Sequence, residues 1–143
     1  MLWQVFGCNG TEENYLISDR SRSYRRGDCT ADKLDHYRCL IRRVITSSPY
    51  YLHGSTSPNV DTVLLCDEEH DNYLLMDIGW QEQSRVKRMI LFVRIKNHII
   101  WIEEDWTEAG IAEELVRAGI PQEDVVLAFQ PPNVRRYTEY AVP

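Results

Sequence analysis

The stretch from Trp101 to Pro132, WIEEDWTEAGIAEELVRAGIPQEDVVLAFQPP, constrains the fold more than any other part of the chain. Ile99 to Ile102 is continuously apolar and β-branched or aromatic, which predicts a strand covered on both faces. Thr107 is placed to act as the N-cap of a following helix, with Glu104, Asp105 and Glu108 near the helix start, where the dipole favours negative charge. Ile111, Ala112, Leu115 and Val116 recur at spacings of three and four and form one apolar helical face. Gly119 ends the helix in a left-handed conformation and Pro121 bars its continuation. Val125 to Phe129 is a short apolar strand, closed by Pro131 and Pro132, which cannot donate to a ladder. The stretch is therefore a β–α–β packing unit.

The rest of the chain supplies a helix and a run of strands. Thr30 or Asp32 caps a helix to about Thr46, with Leu34, Tyr37, Leu40, Ile41, Val44 and Ile45 as its apolar stripe. Thr46 to Asn59 reads as a linker, with Tyr50, Tyr51 and Leu52 pinning it to the core. Strands follow over Val60 to Asp67, Tyr73 to Gly79, Val86 to Lys96 and Ile99 to Glu104. The turns are Glu68–Asp71, a polar connection from Trp80 to Ser84, and a tight Asn97–His98 hairpin. Short connections make neighbouring strands antiparallel. The expected class is α+β: an N-terminal helix, an antiparallel four-stranded meander, a helix and a short fifth strand. Both strand faces are apolar over Met89 to Val93 and Ile99 to Ile102. Two helices cover one face, which leaves the other to the C-terminal tail and the Tyr50–Leu52 loop, or to a partner or second copy of the chain.

Residues 1–31 differ in character. They are polar, with four arginines against four acids, and are expected to form a poorly ordered extension before a single domain at 32–143. Their arginines, Arg20, Arg22, Arg25 and Arg26, are a possible arm for nucleic acid, diluted by Asp19 and Asp28. No apolar run approaches a membrane span, and the N-terminus lacks the basic and apolar regions of a signal peptide, so a cytoplasmic protein is expected. Cys8, Cys29, Cys39 and Cys66 show no metal-ligand spacing and are expected to be free thiols.

Charge is distributed unevenly. The whole chain carries −6, but residues 101–124 hold eight acids against one base, Arg117. This net −7 argues against broad contact with phosphate there and suits a basic protein partner. Lys33, Arg38, Arg42 and Arg43 on the first helix are candidate phosphate contacts. No nucleophile set or phosphate-cradling loop is present, and no catalytic, cofactor-binding or metal-binding residue is assigned. Glu103, Glu104, Asp105 and Glu108 are the densest carboxylates. Alternation along a strand would send Glu103 and Glu104 to opposite faces, which argues against a shared ion. The tail residues Arg135, Arg136, Tyr137 and Tyr140 are of the types enriched in interface hot spots.

The segments ADKLDHYRCLIRRVI, MDIGW at 76–80, VRIKNHIIWIEEDWTEAGIAEELVRAGIPQEDVVLAFQPP and VRRYTEYAV together resemble the fdxN-element excision controlling factor family, called XisI-like. The resemblance spans residues 32 to 143, and members of that family typically begin at the position of Asp32. Asn97–His98 stands where Asp-Gly is usual, Gln130 where histidine is common, and Arg136 where proline often sits. The resemblance implies an accessory factor in programmed excision of a DNA element by a site-specific recombinase in cyanobacteria. It also implies a partner, an XisH-like protein of restriction-nuclease-like fold, encoded by a neighbouring gene. On this basis the chain is expected to be a non-enzymatic regulator that binds the partner through Glu104, Asp105, Glu108, Glu113, Glu114, Pro131, Pro132, Arg135, Arg136 and Tyr137. The alternatives are a DNA-binding accessory factor, which would use Arg38, Arg42 and Arg43 or the arginine arm, and an antidote to a nuclease-like toxin. A homo-oligomer is a further possibility.

Overall fold

The computed structural model describes residues 32–143, so the expected extension and its arginine arm lie outside the described residues. Helix α1 (Lys33–Ser47) leads into a short α2 (Pro49–His53). Four strands follow, β1 (Val60–Asp67), β2 (Asn72–Gln81), β3 (Ser84–Lys96) and β4 (Ile99–Asp105). Helix α3 (Ile111–Arg117), a 3-10 turn (Gln122–Asp124), β5 (Val125–Leu127) and a short α4 (Pro132–Arg135) complete the chain. The strands form one sheet in the order β1-β2-β3-β4-β5, antiparallel throughout except that β5 runs parallel to β4. The class is α+β, as expected, and α3 is the crossover of the β4–α3–β5 unit.

The apolar stripe of α1 is the one expected: Tyr37, Leu40, Ile41, Val44 and Ile45 are buried. They pack with Ile111, Ala112 and Leu115 of α3 against Leu64, Tyr73, Leu75, Leu91, Val93, Ile100 and Ile102 of the sheet. This helix-side layer is the core. At its end Asp77 is only 2% exposed. Its carboxylate accepts from the Thr62 hydroxyl at 2.6 Å and from Arg88 Nη2 at 2.5 Å, so the buried charge is paired and hydrogen-bonded.

Several boundaries differ from expectation, each for a local reason. The expected linker contains α2, because Ser48 caps it by accepting from the Tyr51 N–H and Pro49 occupies its first turn. Tyr50 and Tyr51 pack against the core as expected, whereas Leu52 is exposed. Trp80, Gln81 and Ser84 belong to strands, leaving only Glu82 and Gln83 as the turn, with Glu82 at φ 55°. The Asn97–His98 hairpin has both residues at positive φ, 52° and 62°, as the pair predicts. Strand β5 stops at Leu127, and Ala128 and Phe129 form a turn followed by a bend at Gln130. Thr107 is not the cap of α3. The helix starts four residues later, after Gly110, and the cap is supplied by the Asp105 carboxylate at the end of β4. Cys66 is in no disulfide, while Cys39 is disulfide-bonded, which corrects the expectation of a thiol there; Cys8 and Cys29 lie outside the described residues.

The tail wraps the β5 edge. Arg135 lies over the Trp101 ring on the outer face, the Ala141 N–H donates to the Val125 carbonyl at 2.8 Å, and Tyr140 packs against the helix-side core. The tail therefore covers the outer face at Trp101 and Val126, and Val126 is fully buried. The Tyr50–Leu52 segment lies with the helix-side core and does not cover the outer face.

Candidate partner-docking site

The β4–α3–β5 unit ends in a recess of about 330 Å³, lined by Glu103, Glu104, Asp105, Trp106 and Phe129. A register shift builds it. Val93 pairs with Ile102 and Phe92 with Glu104, so Glu103 is an extra residue in β4 opposite that step. Such a bulge breaks the alternation of side chains. The expectation that Glu103 and Glu104 point apart is thereby corrected: both line one recess with Asp105.

Backbone hydrogen bonds fix the two aromatic walls. The Trp106 N–H donates to the Ile90 carbonyl at 2.9 Å, and the Phe129 N–H donates to the Ile102 carbonyl at 3.2 Å. Because β5 has ended by Leu127, Phe129 turns into the recess. Trp106 is 71% exposed and Phe129 41%, large apolar surfaces of the kind that mark interaction sites.

Each carboxylate has a distinct tie. Glu103 Oε1 accepts from Arg94 at 3.4 Å and Glu104 Oε2 from the Trp106 indole N–H at 3.0 Å. Asp105 accepts from the Thr107 and Ile111 N–H groups. Asp105 is thus committed to the fold. Among the described residues Glu104 keeps one oxygen with no hydrogen-bond donor and, with Glu103, presents negative charge beside two aromatic faces. That combination is chemically suited to a guanidinium or ammonium group, through charge-assisted hydrogen bonds and ring–cation contact, and to the planar, stacking guanidinium more than to ammonium. Among the described residues, no group of three or more His, Cys, Asp or Glu converges closely enough to hold a metal ion.

The structure separates the remaining expected residues. Glu108 is exposed beyond Trp106. On α3, Glu113 is exposed, while Glu114 is paired with Arg117 at 2.7 Å. Pro131 and Pro132 follow Phe129 directly and are exposed at the start of α4. Arg135 is not available to a partner. Its guanidinium donates to the Gln130 and Ala128 carbonyls at 2.9 and 3.0 Å while lying over Trp101. Arg136 stacks on Tyr137, which is largely exposed, and this pair extends the surface past the recess. Sequence reasoning missed Trp106 and Phe129 as site residues. The signal was an isolated Trp set directly in the acidic run.

The α1 arginines are poorly placed for phosphate. Arg38 is held by Asp71 at 2.5 Å and Asp35 at 3.0 Å, and Arg42 by Glu68 at 2.5 Å. The Asp71 hydrogen bond is the largest influence raising the Arg38 pKa further. Arg43 is exposed and makes no ion pair among the described residues. His70, fully exposed, is raised above its ordinary pKa by its hydrogen bond to Asp67 at 2.8 Å.

Residues 31–142 match the family model described as XisI protein. The fdxN element excision controlling factor XisI from Anabaena variabilis ATCC 29413 is similar in structure, with 42% identity and a TM-score of 0.70, covering 78% of this chain and 100% of that one. A XisI-like protein from the same organism has 31% identity and a TM-score of 0.69 with the same coverage. No curated protein matches. No helix among the described residues is long and apolar enough to cross a membrane.

Proposed function

The chain belongs to the XisI family, and from that premise we propose that it is a non-catalytic regulatory factor in the control of DNA-element excision, acting by binding a nuclease-like, XisH-type partner. A solved relative at 42% identity is an fdxN element excision controlling factor, which supports the role in excision. The observation that carries the mode of action is the recess where Glu103 and Glu104 stand beside the exposed rings of Trp106 and Phe129. The proposed contact is a basic side chain of the partner, an arginine above all, seated between these carboxylates and rings, with the exposed Pro131, Pro132, Arg136 and Tyr137 as the flank of the interface. Because the acids are partly exposed, complementary charge speeds association and selects the partner, while the aromatic walls hold the complex.

Co-purification with the XisH-like protein of the neighbouring gene, tagged on that partner, tests the proposal. A stable complex whose affinity falls with added salt is the expected result. Two folded proteins that do not associate at low salt would remove it.

Direct DNA binding through α1 is the weaker reading. Two of its three candidate arginines are held by carboxylates of this same chain.

A further inference from the structure

The outer face of the sheet is apolar at its centre and no described helix covers it there. Paired residues share a face, so the register places Val63, Met76 and Met89 in one row across β1, β2 and β3, with Leu65, Leu74 and Phe92 in the next. Ile90, the extra residue at the β2–β3 register shift, turns inward to the core, which keeps Met89 and Phe92 on the outer side. Leu65 and Met89 are 37% and 38% exposed. The other four are half-buried, and none belongs to the helix-side core.

The rows that flank this block carry charge in a fixed sense. One runs Asp61, Ile78, Lys87 and the other Asp67, Asn72, Arg94. In both rows the acid is on β1 and the base is on β3. Asp61 and Lys87 are exposed and make no ion pair among the described residues. Asp67 and Arg94 have partners in His70 and Glu103. The face is therefore an apolar centre between an acidic margin and a basic margin, a pattern that complements itself.

We propose that two copies of this chain pack outer face to outer face about a two-fold axis parallel to the strands and through β2. That axis lays β1 of one copy over β3 of the other and β2 over β2. It brings Asp61 opposite the second copy's Lys87 and Asp67 opposite its Arg94, and each contact occurs twice. An axis across the strands would set Asp61 against Asp67 and Lys87 against Arg94, which like charge opposes. The charge pattern thus selects both the occupant and the orientation of the aligned sheet packing. The basic margin of this face borders the recess, since Arg94 also holds Glu103 and Phe92 pairs with Glu104.

Sedimentation of the full chain tests this. The expected result is a concentration-dependent species of twice 16.8 kDa. D61K or K87E alone makes two repulsive contacts per dimer and is expected to weaken dimerisation about tenfold, whereas the double variant D61K/K87E restores the pairs and returns affinity to within about threefold of the parent. Leu74→Arg, at the centre of the block, is expected to abolish the dimer. The exposed charge variants decide the matter if Leu74→Arg does not fold. A 16.8 kDa monomer up to about 200 μM overturns the proposal, including where residues 1–31 or a different protein occupy the face. A dimer that is indifferent to both single charge reversals overturns it as well.

Discussion

The Asp105 carboxylate, at the last position of β4, accepts a hydrogen bond from the Ile111 N–H at 2.7 Å and so joins the strand to the first turn of α3. Its other oxygen accepts from the Thr107 N–H at 2.9 Å and the Thr107 hydroxyl at 2.5 Å. One side chain therefore fixes the whole connection that carries Trp106. Asp105→Ala is expected to destabilise the fold by about 1–2 kcal/mol, as expected for loss of a helix cap and its buried-end acceptors. Thr107→Val removes one donor only and should cost less than about 1 kcal/mol. Urea unfolding of both variants checks the order. If Thr107→Val proves the more harmful, the cap has been assigned to the wrong residue.

Gly79, in the MDIGW segment, has φ 156° and meets the chain where β1 begins. A Cβ there would lie 2.1 Å from the Asn59 carbonyl oxygen and 2.7 Å from Val60 Cα. Backbone atoms have no room to retreat from such a contact. Gly79→Ala is expected to destabilise by about 3 kcal/mol or more, read from the shift in urea midpoint. A loss below about 1 kcal/mol would mean that β1 does not approach β2 this closely.

The start of α1 is tied to the turn before β5. Asp124 accepts from Lys33 Nζ at 2.8 Å and from the Tyr37 hydroxyl. Desolvation pushes its pKa up, but the Lys33 and Tyr37 hydrogen bonds outweigh it and hold the carboxyl below its ordinary range. A depressed folded pKa gives stability that is present above the unfolded value of 3.8 and is lost as pH falls through the folded value. The stability difference between the parent and Asp124→Asn should therefore be constant near neutrality and shrink below about pH 4. Denaturation curves at a series of pH values measure it. A gap that persists unchanged to about pH 2 would show that the charge of Asp124 contributes nothing.

The fold was legible where one local signal decided the outcome. The α1 stripe, the start and end of β1, and the Asn97–His98 hairpin follow from periodicity and turn chemistry, because their causes lie within a few residues of each other. Glu82 takes a left-handed conformation in a sequence with no Gly or Asn to announce it, so a two-residue turn read as a longer connection. Thr107 looked like a cap because a hydroxyl precedes the helix, yet the carboxylate of Asp105 reaches past it. The acidic run was visible and its geometry was not. The Phe92–Val93 register shift gathers Glu103, Glu104 and Asp105, and a pairing irregularity leaves no mark on residue spacing. Arg135 showed the opposite failure: an interface-type residue is held by two carbonyls of its own chain.

The central claim is that the acidic, aromatic recess seats a basic side chain of the nuclease-like partner. The most direct measurement is a binding titration of that partner against the parent, Glu104→Lys and Trp106→Ala, at low and at raised salt. Both side chains are accessible, so stability should change by no more than about 0.5 kcal/mol for Trp106→Ala. Affinity is expected to fall more than about tenfold in each variant, and Glu104→Lys should also flatten the salt dependence. Undiminished binding by both folded variants would contradict the account and move the partner to another face.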